Sequence, residues 1–123
     1  MRNKLITGLL LAVLVSTVAQ AEWSYVTENI YLDYSTIKKT KNGYRAWRLS
    51  DYTKVNELGA SAKILYEYNC IEERSRILQM HTYSGHMGKG RIVVTDDLIE
   101  KWEYVIPGSV GEFILKMVCN RAK

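Results

Sequence analysis

A single change of hydrophobic period limits what this chain can fold into more than any other feature. In several segments between Trp23 and Ile106, apolar and β-branched residues recur in steps of two, the period of half-buried strands. After that they fall at Val110, Phe113, Ile114, Met117 and Val118, the spacing of an amphipathic helix. The boundary is punctuated: Pro107 and Gly108 break the extended run, and Ser109 with Glu112 forms an S-x-x-E capping box that can satisfy the orphan amides of a first helical turn. Strands followed by one terminal helix predict an α+β domain, an antiparallel β-sheet with a C-terminal α-helix packed on one face.

The strands can be placed roughly. Trp23–Val26 and Asn29–Asp33 are rich in aromatic and β-branched residues. Asn42-Gly43 signals a tight hairpin with positive φ at both central positions. In the next strand, Tyr44–Tyr52, Arg45, Trp47 and Leu49 share one side, and Ala46, Arg48 and Ser50 share the other. Val55–Ser61 reads as an exposed connection. Ala62–Cys70 alternates again, with Ile64, Tyr66, Tyr68 and Cys70 on one side. Ile71–Arg74 can turn the chain into a strand from Arg76 to Thr82, covered on both faces; Gly85, Gly88 and Gly90 loosen a flexible loop, and Arg91–Thr95 and Trp102–Ile106 are extended. With 47% hydrophobic and 24% charged residues and one Pro, the composition is globular and argues against disorder or a collagen-like chain. One domain is expected.

The first residues are expected to be an address and not part of the fold. Arg2 and Lys4 precede the apolar run Leu5–Val15 and the small-residue site Ala19-Gln20-Ala21, the layout of a secretory signal peptide over residues 1–21, which leaves a single domain over 22–123. That run is about half the length a membrane span needs, so no membrane span is expected. The leader holds two of the 17 basic residues and none of the 13 acidic ones, so the remainder has 15 against 13, a net charge of +2 instead of +4. Basic and acidic residues alternate there without a basic stripe, which argues against a nucleic-acid partner.

Cys70 and Cys119 are the only cysteines. In an oxidising compartment an intramolecular disulfide is the economical reading, with a free thiol pair or half of a metal site as alternatives. Such a bridge would close a loop of about 50 residues, for which chain entropy assigns about 4 kcal/mol. At about 100° per residue Cys119 points away from the centre of the helical stripe. Either the helix ends near Val118 and the chain turns back toward Cys70, or the helix is buried over a wider face.

No set of residues reads as catalytic. His81 and His86 flank a Tyr-Ser-Gly turn without metal-ligand spacing and are read as solvated or hydrogen-bonded; opposed acid and base placement for nuclease chemistry is awkward there. The Gly85–Gly90 loop lacks the phosphate-binding pattern, and Glu72-Glu73 and Asp96-Asp97 are neighbours that face opposite ways on an extended chain. Neither a metal nor a cofactor is expected. Three Trp and nine Tyr, all outside the leader, offer binding surface beyond the needs of a core, with Trp47 and Trp102 read as core anchors. The basic hairpin tip Lys38, Lys39 and Lys41, with the strand arginines Arg45 and Arg48, supplies the candidate contacts for an anionic partner.

Taken in order, the pieces Tyr31-Leu32-Asp33-Tyr34-Ser35-Thr36-Ile37, the Trp47 strand ending at Asp51-Tyr52, Ser61 to Cys70 with its Tyr-Glu-Tyr-Asn-Cys close, Tyr83-Ser84-Gly85 followed by Gly88-Lys89-Gly90, and Trp102 through Pro107-Gly108-Ser109 to Cys119 resemble the surface-adhesin protein E family of small exported bacterial proteins. The resemblance implies a sheet tied to its terminal helix by Cys70 and Cys119 and no enzymatic activity. It also implies recruitment of host extracellular-matrix or plasma proteins and association as a homodimer. The expected function is therefore a non-enzymatic exported binding protein of adhesin type, at the outer surface, secreted or in the periplasm of a Gram-negative bacterium. The alternative is a periplasmic partner or inhibitor protein of the cell envelope, and an enzyme is a third class.

Overall fold

The computed structural model describes residues 21–121, so the leader expected over 1–21 lies outside them except for Ala21. The elements run β1 (Ser24–Thr27), β2 (Ile30–Lys39), β3 (Tyr44–Asn56), β4 (Gly59–Asn69), β5 (Arg74–Tyr83), β6 (Ile92–Asp96), β7 (Glu103–Tyr104) and α1 (Val110–Arg121). The strands form one antiparallel sheet of seven, ordered β1 to β6 as in the chain, with β7 on the same edge of β5 as β6. This is the α+β architecture that the single change of period predicts.

The connections on either side of β3 depart from the sequence reading. The β2–β3 hairpin is a four-residue loop closed by the Thr40 amide donating to the Gly43 carbonyl at 2.8 Å, and Asn42 stays out of the left-handed region. Glycine is needed at 43 because the backbone passes against β4: a Cβ there would meet the Tyr68 carbonyl oxygen at 2.0 Å. Nor is Val55–Ser61 an exposed connection. Strands β3 and β4 continue through it to a two-residue turn at Glu57-Leu58, with Asn56 opposite Gly59, and Gly59, Ala60 and Ser61 are buried. The Asn56 carboxamide accepts the Leu58 amide at 2.8 Å, which is how an Asx residue tightens a turn. Ile71–Arg74 turns as read, with Glu73 in the left-handed region at φ 55°.

Helix α1 lies across β2, β3 and β4. Leu32, Ala46 and Tyr68 from the sheet pack against Ile114, Leu115, Val118 and Cys119, and Val26, Ile30, Ile37 and Tyr44 close the cluster. Cys70, just beyond β4, is bonded to Cys119 with their Cα atoms 6.0 Å apart. The helix does not end near Val118; it runs on to Arg121, and its buried face is turned toward Leu115 and Cys119. That rotation leaves two residues of the expected stripe outside: Val110 is 41% exposed and Phe113 52%. The cap forms with one change. Ser109 Oγ accepts the Glu112 amide at 3.2 Å, and the Glu112 carboxylate reaches back to the Gly108 amide at 2.9 Å instead of that of Ser109.

Candidate functional site

Because alternate residues of a strand point to opposite faces, the helix takes only half of what the sheet presents. On the other face the register sets Asp33 beside Trp47, Trp47 beside Leu65, Leu65 beside Gln79, and Lys63 beside His81. Trp47 is half-buried at the centre of this face, not a core anchor. Its indole stacks on the His81 ring at 6.0 Å between centroids. His81 is held in place by Thr95 Oγ1 at 3.0 Å and Gln79 Oε1 at 2.8 Å, so both ring nitrogens are engaged and the ring serves as a platform. Lys63 Nζ sits 4.8 Å from the centroid of Tyr83.

Two adjoining depressions flank Trp47. One, of about 320 Å³, is bounded by Trp23, Asp33, Lys63, His81 and Tyr83; the other, of about 390 Å³, by Ser35, Lys38, Arg45 and Gln79. The far end of the face is roofed by the tight turn His86–Gly88, which the sequence reads as a flexible loop. The structure pins it. The Asp51 carboxylate accepts the Met87 amide at 2.8 Å and meets His86 Nδ1 at 3.1 Å, while Ser61 Oγ donates to the Gly85 carbonyl at 2.6 Å and accepts the Gly88 amide at 2.9 Å. Leu49 and Ser61 are buried under it.

Charge on this face is unevenly satisfied. Its carboxylates are all engaged: Asp33 by the Ser35 amide at 3.0 Å, Asp51 by the turn, and Glu67 by Thr40 Oγ1 at 2.7 Å and Arg76 Nε at 2.9 Å. Burial pushes the Glu67 carboxyl up, but the hydrogen bonds from Thr40 and Arg76 and the Arg76 charge outweigh it and leave the group below its ordinary value. The Arg76 guanidinium in turn lies 4.4 Å over Trp102, which is half-buried. Lys38, Arg45 and Lys63 have no carboxylate partner among the described residues. A face with a stacking platform, two shallow depressions and three uncompensated cations is suited to gripping an anionic surface.

The basic residues singled out from sequence are divided between the two faces. Lys38 pairs directly with Arg45, and both border the second depression beside Trp47. Lys41 is exposed in the hairpin loop. Lys39 pairs with Tyr44, which packs toward the helix, so it lies on the covered side. Arg48 is also on that side, its guanidinium 4.4 Å from the Tyr66 ring centroid. Sequence reasoning missed Trp23, Trp47, Lys63, His81 and Tyr83 as contacts. The shared direction of Arg45 and Trp47 pointed to two of the site's residues, but pairing Lys63 with His81 needs the register. Among the described residues no group of three or more His, Cys, Asp or Glu could hold a metal ion, and no helix is long and apolar enough to cross a membrane.

Comparison with known proteins agrees with this architecture. Residues 18–120 match the family described as Surface-adhesin protein E. No curated protein sequence matches. Among solved structures, the selenomethionine form of protein E from Haemophilus influenzae superposes with a TM-score of 0.70 at 11% identity, covering 85% of this chain and 90% of that one. A second crystal form of H. influenzae protein E gives 0.66 at 12% identity over 93% of this chain and 100% of that one. Protein E from non-typeable H. influenzae gives 0.68 at 12% identity over 85% and 79%. At these identities the likeness is one of fold.

Proposed function

This chain belongs to the surface-adhesin protein E family, and we propose that it is an exported, non-enzymatic binding protein whose open sheet face takes an acidic segment of a partner protein, from the host matrix, plasma or the bacterial envelope. One observation carries this reading. The helix and the disulfide lie on one side of the sheet, while the other keeps Trp47 stacked on His81 and leaves Lys38, Arg45 and Lys63 without carboxylate partners among the described residues. Aromatic and arginine side chains are the groups that dominate binding energies at protein interfaces, and uncompensated cations steer an acidic partner in. Of the basic residues picked from sequence, Lys38, Lys41 and Arg45 are assigned to this contact; Lys39 and Arg48 are assigned elsewhere because they lie on the covered side.

The test is capture of partners from an extracellular-matrix extract by the exported chain, repeated with Lys38, Lys39 and Lys41 changed to Ala and separately with Trp47→Ala. Both variants are expected to lose the captured protein, and rising salt is expected to weaken capture by the unaltered chain, since exposed charges are screened within about 10 Å at 0.1 M. Capture that survives both variants refutes the assignment. Protease treatment of intact cells reads the address: removal of the protein fits the outer surface, and protection fits a role within the periplasm. Light scattering of the same preparation reads the homodimer implied by the family.

A further inference from the structure

A separate cavity of about 240 Å³ opens on the covered side, where the start of α1 and the β7 segment approach β3, β4 and β5; Arg48, Tyr66, Tyr68, Tyr104, Ser109 and Gly111 are among its walls. Three kinds of donor meet there without an acceptor. The Tyr68 side chain is 1% exposed and its hydroxyl lies by the Arg48 guanidinium, itself a donor, so the hydroxyl finds no acceptor, and the buried Arg48 Nε is also without one. Burial raises the Tyr68 phenol far above its ordinary value, so it stays a neutral O–H donor. At the head of the helix, Ser109 Oγ takes the Glu112 amide and the Glu112 carboxylate takes that of Gly108, whereas the amide of Gly111, a wall of the cavity, has no acceptor among the described residues. Buried donors in native proteins are rarely left unmatched, and a helix start favours negative charge. Arg48 adds a full positive charge with no carboxylate partner among the described residues.

We propose that this cavity binds a small monocarboxylate with a short apolar tail, its anionic end held by Arg48, Tyr68 and the Gly111 amide. The walls select within the anions. Arg76 and Lys101 border the cavity together with Glu100 and Glu103, while Ile77, Tyr66 and Val105 offer apolar surface for a tail that an inorganic anion lacks. The site lies on the opposite side of the sheet from the partner-binding face, so the two stand or fall separately.

Titration of the exported chain with sodium phenylacetate at constant ionic strength, followed through the NMR signal of the Gly111 amide, tests the proposal. Saturable shifts are expected, with phenylacetamide, the uncharged isostere, at least about tenfold weaker. Tyr68→Phe keeps the ring and removes the donor, and is expected to weaken phenylacetate about tenfold. Arg48→Gln removes the cation and keeps a polar side chain, so it tests the same end of the cavity should Tyr68→Phe not fold. Absence of a saturable shift, equal binding of acid and amide, or undiminished binding by the folded variants would overturn the proposal.

Discussion

Ala46 and Trp47 are neighbours on one strand, and the contrast between them is the contrast between the two faces of this sheet. Ala46 is fully buried under α1, where a small side chain lets the helix settle close; Trp47 faces the other way and remains half-buried over His81. The same division holds for Tyr68 against Glu67 on β4. On the covered face, apart from the donors gathered at the helix start, composition is explained by packing. On the open face it is not, because folding alone has no use for uncompensated Lys38, Arg45 and Lys63 beside a large aromatic ring. What internal packing leaves unexplained is where an external partner is expected to contribute.

The largest effect should come from the tie on the covered face. Changing Cys70 and Cys119 together to Ala removes a bridge spanning a sequence separation of 49 and is expected to cost about 4 kcal/mol in denaturant unfolding. Partner capture under conditions where the variant stays folded should be unchanged. Parallel loss of capture would show that the open face depends on the helix and break the division. Next comes the neighbouring pair. Ala46→Leu forces extra volume beneath the helix and should destabilise by about 2–3 kcal/mol, with little effect on capture by the folded fraction. Trp47→Ala should do the reverse, losing capture with the smaller stability cost of a half-buried site.

How far the sequence foretold this division depends on which residues are asked. Alternation along β3 placed Arg45 and Trp47 opposite Ala46 and Arg48, the Pro107-Gly108-Ser109 start of the helix was readable from capping chemistry, and two cysteines allowed one bridge. These are local signals. Which side the helix would cover was not local: it depends on strand register and on bulges, such as the one that leaves Leu78 unpaired between Ile77 and Gln79. The helical stripe was misplaced for a related reason, since the bond to Cys70 fixes Cys119 inward and turns Phe113 out. Lys63 and His81 could be joined into one site only once β4 and β5 were aligned.

A smaller effect should appear on acidification. Glu67 is held below its ordinary value of 4.5, so the folded protein binds this proton less readily than the unfolded chain does. Its contribution is fully present above that ordinary value and is lost as pH falls through the folded one. Glu67→Gln is expected to cost about 1 kcal/mol near pH 7 and to flatten the decline in stability below about pH 4.5. An unchanged acid slope in pH-dependent unfolding would mean that the Thr40–Glu67–Arg76 network does not tie the hairpin tip to the sheet as its geometry implies.

The finest test separates charge from direction. Lys38 and Lys39 are adjacent, both exposed, and identical in chemistry, but Lys38 lies with Arg45 beside Trp47 whereas Lys39 lies with Tyr44 on the helix side. Each change to Ala should alter stability by less than about 0.5 kcal/mol, as expected for surface sites away from a buried network. Each also removes the same unit of net charge, so any long-range attraction falls equally. A partner seated on the open face should be weakened several-fold by Lys38→Ala and hardly at all by Lys39→Ala, measured by surface plasmon resonance at fixed ionic strength. Equal losses would mean that the tip acts through its field alone. A larger loss at Lys39 would move the contact to the side that the helix covers.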